Sequence, residues 1–219
     1  MATDRQQGRS EQTTARYMDA AEALFITLGY EGTSIRAISS RAKMNLGTVV
    51  YHWGTKRELF RAICLRRFSE IEVIQIERLR ALRSRSDPLT PRDLELVLTA
   101  LVEPPLTHSD DPEIRNITGS LYGRVLTDPS PTVLEVSAEI FSEATVLLKS
   151  LIRDCLPGIS DEDFFWRYTC ALGAFIFAQS FQGRIAYATD VAIGEADWAA
   201  VSRRIVTFMA AGLRSEAAG

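Results

Sequence analysis

Between Tyr17 and Trp53 three stretches of helical periodicity follow one another with only short breaks, and two of them are too short to stand alone. Tyr17, Ala20, Ala21, Leu24, Phe25 and Leu28 recur at i, i+3, i+4, i+7, i+8 and i+11, which is one face of an amphipathic helix that Gly29 ends. Thr33 or Ser34 can cap a second helix carrying Ile35, Ile38 and Ala42 inward. A third, capped by Asn45, carries Leu46, Val49, Val50 and Trp53. Helices of about eight residues are marginal in water. These two must therefore borrow the apolar face of the first. The spacing predicts a three-helix unit whose last helix buries Leu46, Val49 and Trp53 and turns Gly47, Thr48, Tyr51 and His52 outward. Short or hydrogen-bonding side chains at the end of a two-helix hairpin are what a recognition helix offers to a major groove.

The rest of the chain also reads as helix. Thr55-Lys-Arg-Glu58 is a capping box opening a fourth helix to about residue 82, with Leu59, Phe60, Ile63, Phe68, Ile71 and Ile74 on its apolar side. After the break SRSDPLTPRD, Thr90 caps a helix with Pro91 at its first position. Pro104-Pro105 with Asp110-Asp111-Pro112 marks one boundary, and Asp128-Pro-Ser-Pro131 the next. Helices are expected over 131–155, 162–182 and 195–214. No alternating strand or hairpin turn interrupts them. The expected fold is all-α, about nine helices, with a helix-turn-helix domain at 11–57 joined to a larger helical domain at 58–215.

Composition excludes several classes. Hydrophobic residues are 46% and charged residues 24% of the 219, the balance of an ordinary globular chain. No apolar run reaches the roughly 18–20 residues that span a bilayer, and the polar start MATDRQQGRSEQ has no leader-like core. No membrane association and a cytoplasmic setting are expected. Cys64, Cys155 and Cys170 form no CxxC pair, so neither a disulfide framework nor a metal site is expected. His52 and His108 are too few for a His cluster, and no phosphate loop, GxSxG elbow or HExxH is present, so neither an enzyme nor a cofactor is expected. The chain's net charge of −3 is unevenly spread, with eight basic and five acidic residues in 1–57 and an excess of acid in the remainder. A basic head on an acidic body fits phosphate contact by the head alone. Arg78, Arg80, Arg83 and Arg85 lie along a helix leading away from that head and read as a solvated face.

The stretch AAEALFITLGYEGTSIRAISSRAKMNLGTVVYHWGTKRELFRAI resembles the DNA-binding domain of the TetR family of transcriptional regulators. The likeness rests on Ala20-Ala21 through Leu24-Phe25, Gly29-Tyr30, Thr33-Ser34-Ile35, Ile38, Ala42, Gly47-Thr48, Tyr51-His52-Trp53 and Thr55-Lys56. It implies that Thr33, Arg36, Asn45, Gly47, Thr48, Tyr51, His52 and Lys56 serve DNA contact, with Lys56 on a phosphate. Two positions depart from the pattern. Val50 stands where Tyr is common, and Lys43 stands where Gly is usual in the turn. If that turn needs φ > 0, Lys costs roughly 1 kcal/mol relative to Gly.

For the body the resemblance implies a dimer and a small-molecule site. Pocket candidates are Phe68, Ile71, Leu121, Tyr122, Val125, Phe141, Phe175 and Phe177, with Arg124 or Arg167 for an anionic head group. The stretch LKSLIRDCLPGISDEDFFWRYTCALGA is similar to a TetR subgroup with hydrophobic effectors such as fatty acids or acyl thioesters. Helix 162–182 is apolar nearly all round and so must be covered on every side. Together with the last helix it predicts a homodimer contact through Ala171, Ala174, Ala178, Val201, Ile205, Phe208 and Met209. The implied function is a repressor released from a palindromic double-stranded operator by a hydrophobic molecule. The alternatives are a corepressor-dependent regulator or an activator of the same family, or a helical interaction protein that binds no DNA.

Overall fold

A computed structural model describes the backbone of residues 2–180, 182–191 and 196–215, and the side chains of the same residues apart from 2–11, 48–50 and 182–184. Among these residues no strand occurs. The helices are α1 (Ala2–Gly32), α2 (Ile35–Ala42), α3 (Gly47–His52), α4 (Lys56–Arg83), α5 (Leu94–Thr107), α6 (Pro112–Thr127), α7 (Pro131–Cys155), α8 (Asp161–Ser180), α9 (Gln182–Thr189) and α10 (Trp198–Arg214). A 3-10 turn at Pro91–Asp93 leads into α5. None of the described helices is long and apolar enough to cross a membrane. Packing divides the chain into a head unit, Met1–Ser69 with Arg124–Ala138, and a body unit, Glu70–Gly123 with Glu139–Gly219. The head unit takes in part of α4 and the α6–α7 turn.

The head is built around an aromatic cluster. Phe25, Tyr30 and Phe60 have ring centroids 5.0 to 5.8 Å apart, with Phe25 and Phe60 almost wholly buried. Gly29 breaks α1 with φ 75°, a left-handed value that L side chains avoid. A Cβ there would also stand 3.1 Å from the Asp128 carboxylate. The groups left open by that break are satisfied from the α6–α7 segment. Asp128 Oδ2 accepts the Tyr30 N–H (3.2 Å), while Arg124 donates to the carbonyls of Ile26 (3.2 Å) and Thr27 (3.3 Å). A cation on the last carbonyls of a helix also complements its dipole. Arg124, expected in a ligand pocket, is therefore occupied in the head.

In the body unit Leu94, Val97, Leu98, Leu121, Leu148, Leu151, Ile152 and Phe175 form the apolar interior. Helix α5 runs through Pro104 and Pro105, which had been read as a boundary. Proline at 105 removes the N–H that would bond the Leu101 carbonyl. The Gln75 amide of α4 donates to that oxygen instead, at 2.6 Å, so the helix continues. Gly119 and Gly123 let α8 lie against α6. A Cβ at Gly123 would be 2.1 Å from Ser180 Oγ, and one at Gly119 would be 3.4 Å from Gln179 Cγ. Arg78, Arg80, Arg83 and Arg85 each meet a carboxylate, on Glu103, Glu143, Asp154 and Asp93. Exposed pairs of this kind contribute little to stability, and they leave these arginines already partnered.

One buried carboxylate among the described body residues is not paired. Glu72 is 7% exposed, and neither of its oxygens has a hydrogen-bond partner of good geometry. Burial pushes its carboxyl up to about 7; the Glu143 charge adds to this, and the Ala144 backbone amide opposes it. The native value lies above the unfolded value of about 4.3. The folded state then holds the extra proton, so stability is full at low pH and falls as pH rises through that window to about 7. Glu72→Gln is expected to be more stable than the parent at pH 8, by on the order of 2 kcal/mol, with little difference at pH 4. Urea midpoints at the two pH values check this.

Candidate nucleic-acid interface

Helix α2 is fixed at both ends. Ser34 Oγ accepts the Ala37 N–H at 3.1 Å as the N-cap. At the other end Met44 N–H bonds the Ser39 carbonyl (2.9 Å) and Lys43 N–H the Ser40 carbonyl (3.1 Å), the paired bonds of a Schellman turn. That turn puts Lys43 at φ 54°, ψ 49°. The turn thus needs the left-handed conformation for which glycine is suited, and Lys43 carries the cost. Lys43→Gly is expected to raise head stability by about 1 kcal/mol, read as a shift in the denaturant midpoint. Since Lys43 is also an exposed cation, weaker DNA binding by the same variant would show that it touches phosphate.

Helix α1 carries the hairpin. Tyr17 is fully buried, its hydroxyl 2.6 Å from Ser39 Oγ, and its ring lies 5.7 Å from that of Trp53. Burial raises the Tyr17 phenol, so it stays protonated. Arg16 donates to the Ala42 carbonyl (3.2 Å) at the end of α2. After the turn, Asn45 Oδ1 accepts the Gly47 N–H at 3.1 Å and starts α3, as its sequence position suggested. A Cβ on Gly47 would meet only Asn45 Oδ1, at 3.8 Å, so this end of α3 is open.

The expected contact residues separate into two groups. Tyr51 is 84% exposed, with its ring 4.9 Å from that of His52, which is half-buried against Trp53. Arg36, Asn45 and Gly47 are exposed as well. Thr33 and Lys56 are placed differently. Thr33 is 1% exposed and gives its hydroxyl to the Gly29 carbonyl (2.8 Å). Lys56 Nζ donates to the carbonyls of Tyr30 (2.9 Å) and Thr33 (3.2 Å) and sits 4.0 Å from the Tyr30 ring centroid. Lys56 thereby ties α4 to the α1–α2 turn, leaving one of its three N–H groups for a phosphate. Leu46, expected inward, is 44% exposed. The side chains of Thr48, Val49 and Val50 lie outside the described residues.

A family profile described as bacterial regulatory proteins, tetR family, matches residues 18–63, and one described as tetracyclin repressor-like, C-terminal domain, matches 99–212. The chain belongs to the TetR family. An HTH-type transcriptional repressor of Mycobacterium tuberculosis is 45% identical over 65 residues, which is 28% of this chain and 34% of that protein. The chain therefore matches about a third of the length of such curated relatives. Two solved structures share the fold over most of both chains. Bacillus subtilis FadR in complex with stearoyl-CoA has TM-score 0.57 and 13% identity, covering 90% of this chain and 98% of its own. A TetR-like regulator from Rhodococcus sp. RHA1 has TM-score 0.56 and 20% identity, with coverages of 93% and 97%. Family and relatives are regulators rather than enzymes.

In the body of this TetR-family chain, most residues named for an apolar pocket are closed into the core. Leu121, Tyr122 and Phe175 are at most 4% exposed, and Tyr122 packs on Phe141 (5.5 Å) and Phe175 (6.0 Å). Ile71 is also buried; Phe68 and Val125 are buried within the head unit. Arg167 pairs with Asp163 (3.0 Å) and donates to the Leu213 carbonyl (3.3 Å). Phe177 is 41% exposed and borders a groove of about 380 Å³ with Ala174, Ala178, Ile185, Val201 and Ile205. Among the residues named for dimer contact, Ala171 and Met209 face their own core, Ile205 is 9% exposed, and Phe208 is 66% exposed. Trp166, on α8, is 59% exposed, and it shares a helical spacing with Cys170, Gly173 and Phe177.

Proposed function

We propose that this chain is a dimeric DNA-binding transcriptional regulator whose hold on a palindromic operator is released when a small molecule binds in the body unit. The observation that carries the reading is the exposed Tyr51, beside a half-buried His52, at the end of an α2–turn–α3 hairpin braced by Tyr17, Arg16 and Lys56. Tyr51, His52 and Asn45 approach base edges in the major groove. Arg36, Lys43 and the free N–H of Lys56 approach phosphates. Two heads about 34 Å apart match half-sites one turn apart. The exposed aromatic and small residues of α8 and α10, namely Trp166, Gly173, Phe177, Phe208 and Gly212, supply a self-complementary two-fold contact.

FadR, solved with stearoyl-CoA, supports a small molecule as the releasing signal. A coupling of ~3 kcal/mol between the two sites is enough to weaken operator binding about 150-fold. The contact roles are tested by fluorescence anisotropy on DNA from the regulator's own upstream region. Tyr51→Ala is expected to weaken the specific complex roughly tenfold, a cost of about 1.4 kcal/mol, while leaving binding to scrambled DNA unchanged. Equal losses on both DNAs would remove Tyr51 from base reading.

A further inference from the structure

The body unit holds an open-mouthed pocket of about 240 Å³ where the end of α5, the first half of α6, the end of α8 and the start of α10 meet. None of the residues expected to form an apolar pocket borders it. Its walls include Arg115, Asn116, Ser120, Gln179, Ser180 and Trp198. Two of these present unused polar atoms. Arg115 spends one terminal nitrogen on the Ser109 carbonyl and lays its guanidinium 5.3 Å from the Trp198 ring centroid, but its Nε is buried without a partner. Among the described residues no carboxylate pairs with it, in contrast to the arginines along α4. Gln179 donates its Nε2 to the Pro105 carbonyl at 3.5 Å, and its Oε1 is buried without a partner. Turning that amide over would set two oxygens against each other at Pro105, so the acceptor is the free end.

Buried polar atoms in native proteins are almost all hydrogen-bonded, and a half-buried guanidinium whose Nε is buried and unpartnered favours an anion. We infer that this pocket is the effector site of the regulator proposed above, and that its ligand is a small carboxylate carrying a hydroxyl group. The inference rests on that regulator reading. The carboxylate accepts from Arg115, whose planar fork suits it. The ligand hydroxyl donates to Gln179 Oε1. Size limits the part of the ligand held inside, because the volume is below the roughly 300 Å³ at which drug-sized pockets begin.

The test titrates the full-length protein calorimetrically with sodium malate, sodium lactate, sodium succinate and sodium decanoate. Malate or lactate is expected to bind at up to about 10 mM and to weaken the operator complex at the same concentrations. Arg115→Met should weaken malate at least roughly tenfold. Gln179→Met should erase the preference for malate over succinate, which lacks the hydroxyl. Should Arg115→Met fail to fold by circular dichroism, Ser120→Leu fills the pocket with Arg115 intact and should weaken malate by a similar factor. Absence of binding by both hydroxy acids, or malate binding indifferent to these variants, overturns the inference. Release of the operator by decanoate overturns it as well but leaves the regulator reading standing. Failure of the unliganded protein to bind operator removes the regulator reading, whatever the titration shows.

Discussion

Glu22→Ala is expected to destabilise the head unit by about 3–5 kcal/mol, the largest effect of any single charge removal in it. Glu22 lies on α1 with 3% exposure. Its carboxylate receives both nitrogens of a bidentate fork from Arg67, at 2.6 and 2.7 Å, and a third bond from Arg66 at 2.8 Å. Arg66 also reaches Asp19 at 2.8 Å. Replacing such a cluster wholly by apolar residues can be neutral, but removing one member leaves a half-buried guanidinium with nothing opposite it. Without Glu22, Arg67 has no other carboxylate within ion-pair distance among the described residues, whereas Arg66 retains Asp19. Glu22→Gln keeps an acceptor and should cost about half as much. Guanidinium-induced unfolding followed by Trp53 fluorescence measures both variants. A loss under about 1 kcal/mol for the alanine variant would mean that the pair is no stronger than a surface one.

Phe25→Ala should cost about 3–5 kcal/mol by emptying the aromatic cluster. Phe25 is fully buried, stacked on Tyr30 and edge-on to Phe60. Its loss removes two ring contacts as well as the area, and the stiff neighbours cannot collapse into the space. Because Tyr30 shares the cluster and carries the Lys56 ammonium over its ring, the cavity undermines the bracing of α2. Operator binding should therefore fall together with stability. Phe25→Leu refills most of the volume and should recover most of both.

What was legible in the sequence was mostly local. Ser34 and Asn45 mark their boundaries through bonds to residues at most three positions away. The turn at Lys43 was legible for the same reason, since a left-handed residue is a property of the turn itself. Polar side chains with distant partners were not. Lys56 and Thr33 sit at matching family positions, yet the first binds carbonyls 26 and 23 residues away and the second is buried. Arg124 looked like a pocket cation until the open carbonyls of α1, almost 100 residues earlier, took it up. Pro104-Pro105 read as a break because no local signal announces that Gln75 replaces the missing donor. No local signal announces the pocket at Arg115, because Arg115, Gln179 and Trp198 meet only through the packing of α6, α8 and α10. Gly119 and Gly123, four apart on α6, were the signal for the close approach of α8.

The central claim is that this head grips an operator through its exposed tip and surrounding cations. The most direct measurement is the affinity of the full-length protein for DNA from its own upstream region as potassium chloride is raised from about 50 to 300 mM. A log–log slope of about −4 or steeper is expected, the release of counterions from four or more phosphates per dimer, with tighter binding than to scrambled DNA throughout. A flat salt response, or equal affinity for both DNAs, would contradict it.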